Sequence, residues 1–226
     1  MDYVYTCRSG DNEELRYSIR SVLKNAPRGQ IWLVGGKPDW YLGNFIEVKP
    51  KGNAIENVRT SLRKITESEN ISEEFVLMND DFFIMNEVES IDYFYSGTLR
   101  DKILTRRSMF RNSLYVNYLD KSYTSISRKG IKEPLDYELH LPMRMEKKKL
   151  GEVLDLPGLW RSNYGNIYSV GGTQKADVKI YNNYTFLHEH LDQDNSTHLS
   201  TEDLSFKVLL PRLEKEFPDI SPYEMS

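Results

Sequence analysis

Residues 75–85 read Phe75-Val76-Leu77-Met78-Asn79-Asp80-Asp81-Phe82-Phe83-Ile84-Met85, with two adjacent carboxylates set inside an otherwise apolar run. A buried strand excludes charge, because an unpaired carboxylate away from water costs far more than a strand recovers. Asp80 and Asp81 therefore require a neutralising partner. A divalent cation, Mg²⁺ or Mn²⁺, carrying a phosphate meets that requirement: its oxygen ligands suit the site and it cancels the charge of carboxylates and ligand together. The competing reading is a turn capped by two aspartates between hairpin strands.

The residues before this run alternate strand and helix. Asp2 to Thr6 reads as a strand. Residues 13–26 place Leu15, Ile19, Val22 and Leu23 near helical spacing before Pro27. Ile31 to Val34 is a buried strand closed by Gly35 and Gly36, and Phe45 to Val48 is a short extended piece. Asn53 to Glu67 carries Ile55, Val58, Leu62 and Ile65 on one helical face, with Asn53 as N-cap, and Phe75 to Leu77 supplies the next strand. Strands separated by helices of this length pair in parallel with right-handed crossovers. The expected fold is α/β, an open Rossmann-like, mostly parallel sheet flanked by helices, with an irregular α+β C-terminal half. Ligands on such sheets bind outside the carboxyl ends of the strands, where Asn79, Asp80 and Asp81 fall.

With 226 residues, 39% apolar content and 12% aromatic, the chain can bury one substantial core. The expectation is a single domain over 1–226, with a nucleotide-binding half at 1–90 and an acceptor-side half at 91–226. One cysteine, Cys7, excludes a disulfide framework and a cysteine-rich zinc site, fits a reducing compartment and reads as a small core residue. No apolar stretch approaches the roughly 20 residues of a membrane-spanning helix, and Met1 leads directly into a strand; the expected location is the cytoplasm. The formal charge of −4 argues against general electrostatic coating of nucleic acid, although basic clusters stand at Arg106, Arg107 and Arg111 and from Arg144 to Lys149.

There is no Gly-x-Gly-x-x-Gly turn after the first strand and no Gly-Lys-Ser/Thr loop, which counts against dinucleotide cofactors and P-loop ATP hydrolysis. Arg16 and Arg20 lie four apart, so both guanidinium groups share a helix face, ready to clamp phosphates or to pair with Glu13, Glu14 or an acidic loop. In the second half, Tyr93 to Arg111 reads as partly helical, Asn112 to Lys132 as mixed, and Met143 to Val153 as a charged helix. His140 sits between apolar residues in Leu139-His140-Leu141-Pro142, either a satisfied core histidine or a candidate base. His188, Glu189 and His190, with His198 nearby, lack the spacing that puts two imidazoles on one helix face, and read as a loop rather than a zinc site. Asn195-Ser196-Thr197 is a glycosylation sequon, without meaning in a cytoplasmic chain. Ser200 or Thr201 is expected to cap a last helix with Val208, Leu209, Leu213 and Phe217 on its apolar face.

Four segments in order resemble the conserved regions of the Stealth family of sugar-phosphate transferases. They are Asp2-Tyr-Val-Tyr-Thr with Ser9-Gly10-Asp11; Glu14-Leu-Arg-Tyr-Ser-Ile-Arg-Ser21 through Pro38-Asp39-Trp40 and Asn53-Ala-Ile-Glu56 to Phe75–Phe83; Glu138-Leu-His-Leu-Pro142 with Arg161-Ser162; and Glu202-Asp203 with Phe217-Pro-Asp-Ile-Ser-Pro-Tyr-Glu224. Cys7 stands where the family has tryptophan, and Thr-Glu-Asp where it tends to Asn-Asp. The resemblance implies a compact member with a GT-A-like core that transfers a hexose 1-phosphate from a nucleotide sugar, typically a UDP-sugar, to an acceptor hydroxyl. It implies a site made of Asp2, Asp80, Asp81, His140 and Arg161, with Asp203 added.

In that chemistry Asp80 and Asp81, with Asp203, hold Mg²⁺ or Mn²⁺. Asp2, Arg16 and Arg20 bind the nucleotide sugar, Arg161 neutralises developing phosphate charge, and His140 takes the acceptor proton. If the acceptor strikes the anomeric carbon instead of phosphorus, the chain is a GT-A-like glycosyltransferase acting on a glycan or on modified DNA. From a different class comes a non-catalytic nucleotide-sugar or glycan-binding module.

Overall fold

The computed structural model describes residues 1–109, 113–181 and 196–225. Arg111, His188, Glu189, His190 and Asn195 lie outside the described residues.

A parallel ladder leads up to the acidic pair. Strands β1 (Asp2–Cys7), β2 (Ile31–Gly35), β3 (Asn44–Glu47), β4 (Glu74–Met78) and β7 (Met143–Glu146) make a five-stranded sheet in the order β3-β2-β1-β4-β7. β1 pairs in parallel with both β2 and β4, and β2 with β3. Near-continuous burial along β1, β2 and β4 marks a sheet covered on both faces. Tyr3, Tyr5 and Cys7 of β1 point to one face with Ile31 and Leu33, and with Val76 and Met78; helix α1 (Glu13–Asn25) closes that core with Leu15, Ile19 and Val22. Leu23 faces solvent. Helix α2 (Ala54–Glu67) buries Leu62 and Ile65 and packs against β1 and β2. Its N-terminus carries a capping box: the Asn53 side chain accepts from the Glu56 N–H and the Glu56 carboxylate accepts from the Asn53 N–H.

Two glycines set the close approach of strand ends. Gly35 has φ +123, and a Cβ there would overlap the Cys7 carbonyl oxygen. A Cβ on Gly36 would overlap Ser9, so the loop after β1 lies directly on the end of β2.

The chain divides into two compact units. The first holds 1–91, 140–144 and 178–226; the second holds 92–139 and 145–177. In the first, β5 (Phe82–Ile84) leaves the main sheet and pairs antiparallel with β9 (His198–Ser200), not with β4. Asp80 and Asp81 are therefore not the turn of a hairpin. Helix α7 (Asp203–Glu216) packs Phe206, Leu209 and Leu213 with Tyr17, Phe83 and Leu199. Its N-cap is Glu202 rather than Ser200 or Thr201, and Val208 is exposed. Ser200 belongs to β9, where its strand pairing with Phe82 pre-empts a capping role.

In the second unit, β6 (Phe94–Tyr95) pairs with β8 (Thr173–Gln174), and helices α3 (Leu99–Met109), α4 (Leu114–Arg128), α5 (Lys147–Leu154) and α6 (Trp160–Ile167) pack together. Within the stretch expected to be mixed, Leu114–Arg128 forms the continuous helix α4, capped by Ser113. The helix expected from Met143 starts only at Lys147. Met143 and Met145 alternate buried with half-buried Arg144 and Glu146, a period-two pattern that belongs to strand β7. Among the described residues no helix is long and apolar enough to cross a membrane.

Candidate functional site

The carboxyl ends of β1 and β4 bring together residues far apart in sequence. Asn12 caps α1, its side-chain oxygen accepting from the Leu15 N–H, while its amide donates to Asp80 Oδ2 at 2.6 Å. One residue thus ties the start of a helix to the acidic pair. Asp81 Oδ2 accepts from Lys179 Nζ at 2.7 Å and from Ser200 Oγ at 2.9 Å. Backbone pairing fixes both donors: Ser200 faces Phe82 across the β5–β9 ladder, and Lys179 bridges to Ser200. The Thr201 N–H donates to the Asp81 carbonyl.

Electrostatics follow from burial. Removal from water pushes the Asp80 carboxyl up and the charge of Asp81 adds to this, with the Asn12 amide opposing. Burial also raises the Cys7 thiol, and Asp80 contributes. Glu14, in the first turn of α1, accepts from the Thr201 hydroxyl at 2.9 Å; burial raises it to about 7, and Asp80, Asp81 and Asp203 push the same way. Burial disfavours the Lys179 ammonium, but the Asp81 carboxylate outweighs it and holds Lys179 above the usual lysine range.

The residues singled out from sequence are distributed as follows. Asp80, Asp81 and His140 share the first unit, and the His140 ring meets Phe82, the neighbour of Asp81, edge-on at 6.3 Å between centroids. Asp2 is buried at the opposite end of the ladder, paired with Phe75 and accepting from the Ser72 N–H at 2.8 Å. About five residues of strand, roughly 16 Å, separate that register from Asp80. Arg16 and Arg20 are engaged by Glu224: Arg20 donates through Nε and Nη2 to both its oxygens, Arg16 donates through Nη1, and Arg16 also stacks on Trp40. Both guanidinium groups are thus paired with the side chain of Glu224, which is neither Glu13 nor Glu14. Arg161 is buried in the second unit at the start of α6, where Glu138 accepts from the Ser162 N–H and feels the Arg161 charge. Asp203 is exposed at the first position of α7.

These positions bear on the metal expectation. Asp80 Oδ2 holds Asn12, Asp81 Oδ2 holds Lys179 and Ser200, and among the described residues no group of three or more His, Cys, Asp or Glu is placed to hold a metal ion. Asp203 is not brought in as a third ligand. A Mg²⁺ or Mn²⁺ ion carrying a diphosphate takes one or two carboxylates and fills its shell with phosphate and water oxygens, so Asp80 and Asp81 would hold it where Lys179 gives up Asp81 Oδ2.

Asn12 and Lys179 escaped the sequence reading, which gave Glu14, Ser200 and Thr201 other roles, as an arginine partner and as helix caps. Asn12 carried a signal, an Asn ahead of two glutamates and an apolar-periodic run, which is a helix N-terminus. Lys179 and Ser200 carried none, because only long-range strand pairing delivers them.

No family model matches the sequence, and no curated protein matches it. Solved structures do. The galactosyltransferase LgtC, in complex with donor and acceptor sugar analogs, aligns over 98% of this chain and 96% of its own at 12% identity, with a TM-score of 0.51. The fold is therefore of the GT-A glycosyltransferase type. An active-site mutant of LgtC aligns over 98% of each chain at 12% identity with a TM-score of 0.49. Mouse xyloside xylosyltransferase 1 aligns over 99% of this chain and 95% of its own at 6% identity with a TM-score of 0.37.

Proposed function

We propose that this chain is a nucleotide-sugar-dependent transferase whose donor binds at the carboxyl ends of β1 and β4. One observation carries the proposal: two adjacent carboxylates, Asp81 buried and Asp80 half-buried, stand beyond β4 of a GT-A-type sheet, where open α/β sheets bind ligands. A structural role alone does not call for an acidic pair there, since burying two like charges side by side is costly. The first reading is glycosyl transfer. The acceptor oxygen forms a bond to the anomeric carbon of the donor, the bond from that carbon to the diphosphate breaks, and the nucleoside diphosphate leaves. His140, held against Phe82 beside Asp81, takes the proton of the acceptor hydroxyl. Asp80 and Asp81 orient the donor, and Asn12 and Ser200 fix their rotamers.

A second reading, transfer of the sugar 1-phosphate, is favoured by the ordered Stealth-like segments. The leaving group separates the two. Incubation with a panel of UDP-sugars and glycan acceptors releases UDP under the first reading and UMP under the second; release of neither, with the sugars unconsumed, overturns both. Asp80→Asn is expected to lower turnover by about 10²-fold or more with folding retained, and His140→Ala by about 10²–10⁴-fold. A variant of Asp80 with undiminished turnover removes the acidic pair from the mechanism.

A further inference from the structure

Resting on the donor-site reading above, we propose that Lys179 supplies the positive charge at the acidic pair, and that a nucleoside diphosphate binds on its ammonium without a divalent cation. Three structural facts converge on this. Lys179 Nζ lies 2.7 Å from Asp81 Oδ2, and both side chains are largely buried, with 15% and 11% of their surfaces exposed. Lys179 stands at an isolated bridge to Ser200, itself paired to Phe82, and the backbone on either side of it is tied down by the Ile180 N–H donating to the Ser200 carbonyl and the Ser200 N–H donating to the Val178 carbonyl. The Asp81 oxygen that would face a metal ion is already taken by this ammonium and by the Ser200 hydroxyl, while the charge of Arg8 reaches Asp80.

An ammonium has three N–H donors and no acceptor. Asp81 takes one of them, which leaves two for phosphate oxygens and fixes the direction in which they point. Charge-assisted hydrogen bonds of this kind are roughly twice as strong as neutral ones. Asp81 then acts as a positioning residue: its carboxylate orients the ammonium as Ser200 orients the carboxylate. Asp80, half-buried and tied to Asn12 through Oδ2, accepts from a hydroxyl of the donor in this arrangement.

The test is calorimetric titration of the intact protein with UDP, GDP, CDP and ADP, each in excess EDTA and in Mn²⁺. A diphosphate that binds in EDTA within about threefold of its affinity in Mn²⁺ supports the proposal. Lys179→Gln is then expected to weaken binding by about 10–100-fold, the loss of a charged hydrogen bond, and Lys179→Arg by less than about tenfold. Lys179→Gln leaves Asp81 buried without its cation, so the double variant Asp81→Asn, Lys179→Gln is measured beside it with thermal melts. Weak binding by the folded double variant supports a ligand role for the ammonium. Recovery of wild-type affinity by the double variant overturns it, because Lys179 would then only neutralise Asp81. Binding that appears in Mn²⁺ and vanishes in EDTA overturns the proposal while leaving the donor site standing. Failure of every diphosphate in both conditions overturns the donor site as well.

Discussion

Glu14, half-buried, and Glu224, buried, are two glutamates with opposite fates. Burial lifts the Glu14 carboxyl to about 7 from an ordinary 4.5, so folding takes up a proton between those values and stability falls as pH rises through that window. Glu14→Gln is expected to melt higher than the parent at pH 8 and level with it at pH 4, as scanning calorimetry at the two pH values would show. For Glu224, burial alone would raise the carboxyl, but hydrogen bonds from Arg20, Ser221 and Arg16 override it and hold the group at about 2. That contribution is complete above 4.5 and is lost as pH falls toward 2. Glu224→Ala strands two guanidinium groups. The expected cost is about 2–3 kcal/mol by urea denaturation, under the ~3–5 typical of a fully buried pair because Arg16 keeps partial contact with water. The acidic pair was legible because charge inside an apolar run is conspicuous. Its partner Lys179 was not, since a lysine between Val178 and Ile180 looks like any surface position of a strand.

At the scale of elements, local rules and tertiary demand coincide in the first ninety residues. Strand and helix limits expected from periodicity lie within a residue or two of those observed, because each parallel strand is a short apolar run and each crossover helix has one apolar face. The Asn53 capping box is one such local device. Asn53→Ala is expected to cost about 1 kcal/mol, readable as a lower urea midpoint at unchanged slope. Agreement ends at β5, β6, β7, β8 and β9, strands of two to four residues. β7 hides in a basic stretch whose composition favours helix, and β5 looks like the continuation of β4 although it changes sheets. Strands this short take their identity from a partner far along the chain, and no window of sequence contains both.

The molecule as a whole is assembled out of sequence order. Residues 1–91 belong to the first unit, yet they lack β9, α7 and the strap at Tyr223 and Glu224, which stacks on Tyr41 and pairs with Arg16 and Arg20. A fragment of residues 1–90 is expected to show no cooperative thermal transition by circular dichroism, because Tyr17 and Phe83 would expose the face that Leu199, Phe206 and Leu209 cover. A boundary at residue 90 was a natural reading of the first ninety residues. The return of the chain to complete their packing is invisible until the fold is known.

The ion pair of Lys179 with Asp81 spans 98 positions. During synthesis, at about 5–20 residues per second, the acidic pair leaves the ribosome several seconds before its lysine does. The nascent sheet must wait with its carboxylates wet until the residues from Val178 to Ser200 arrive.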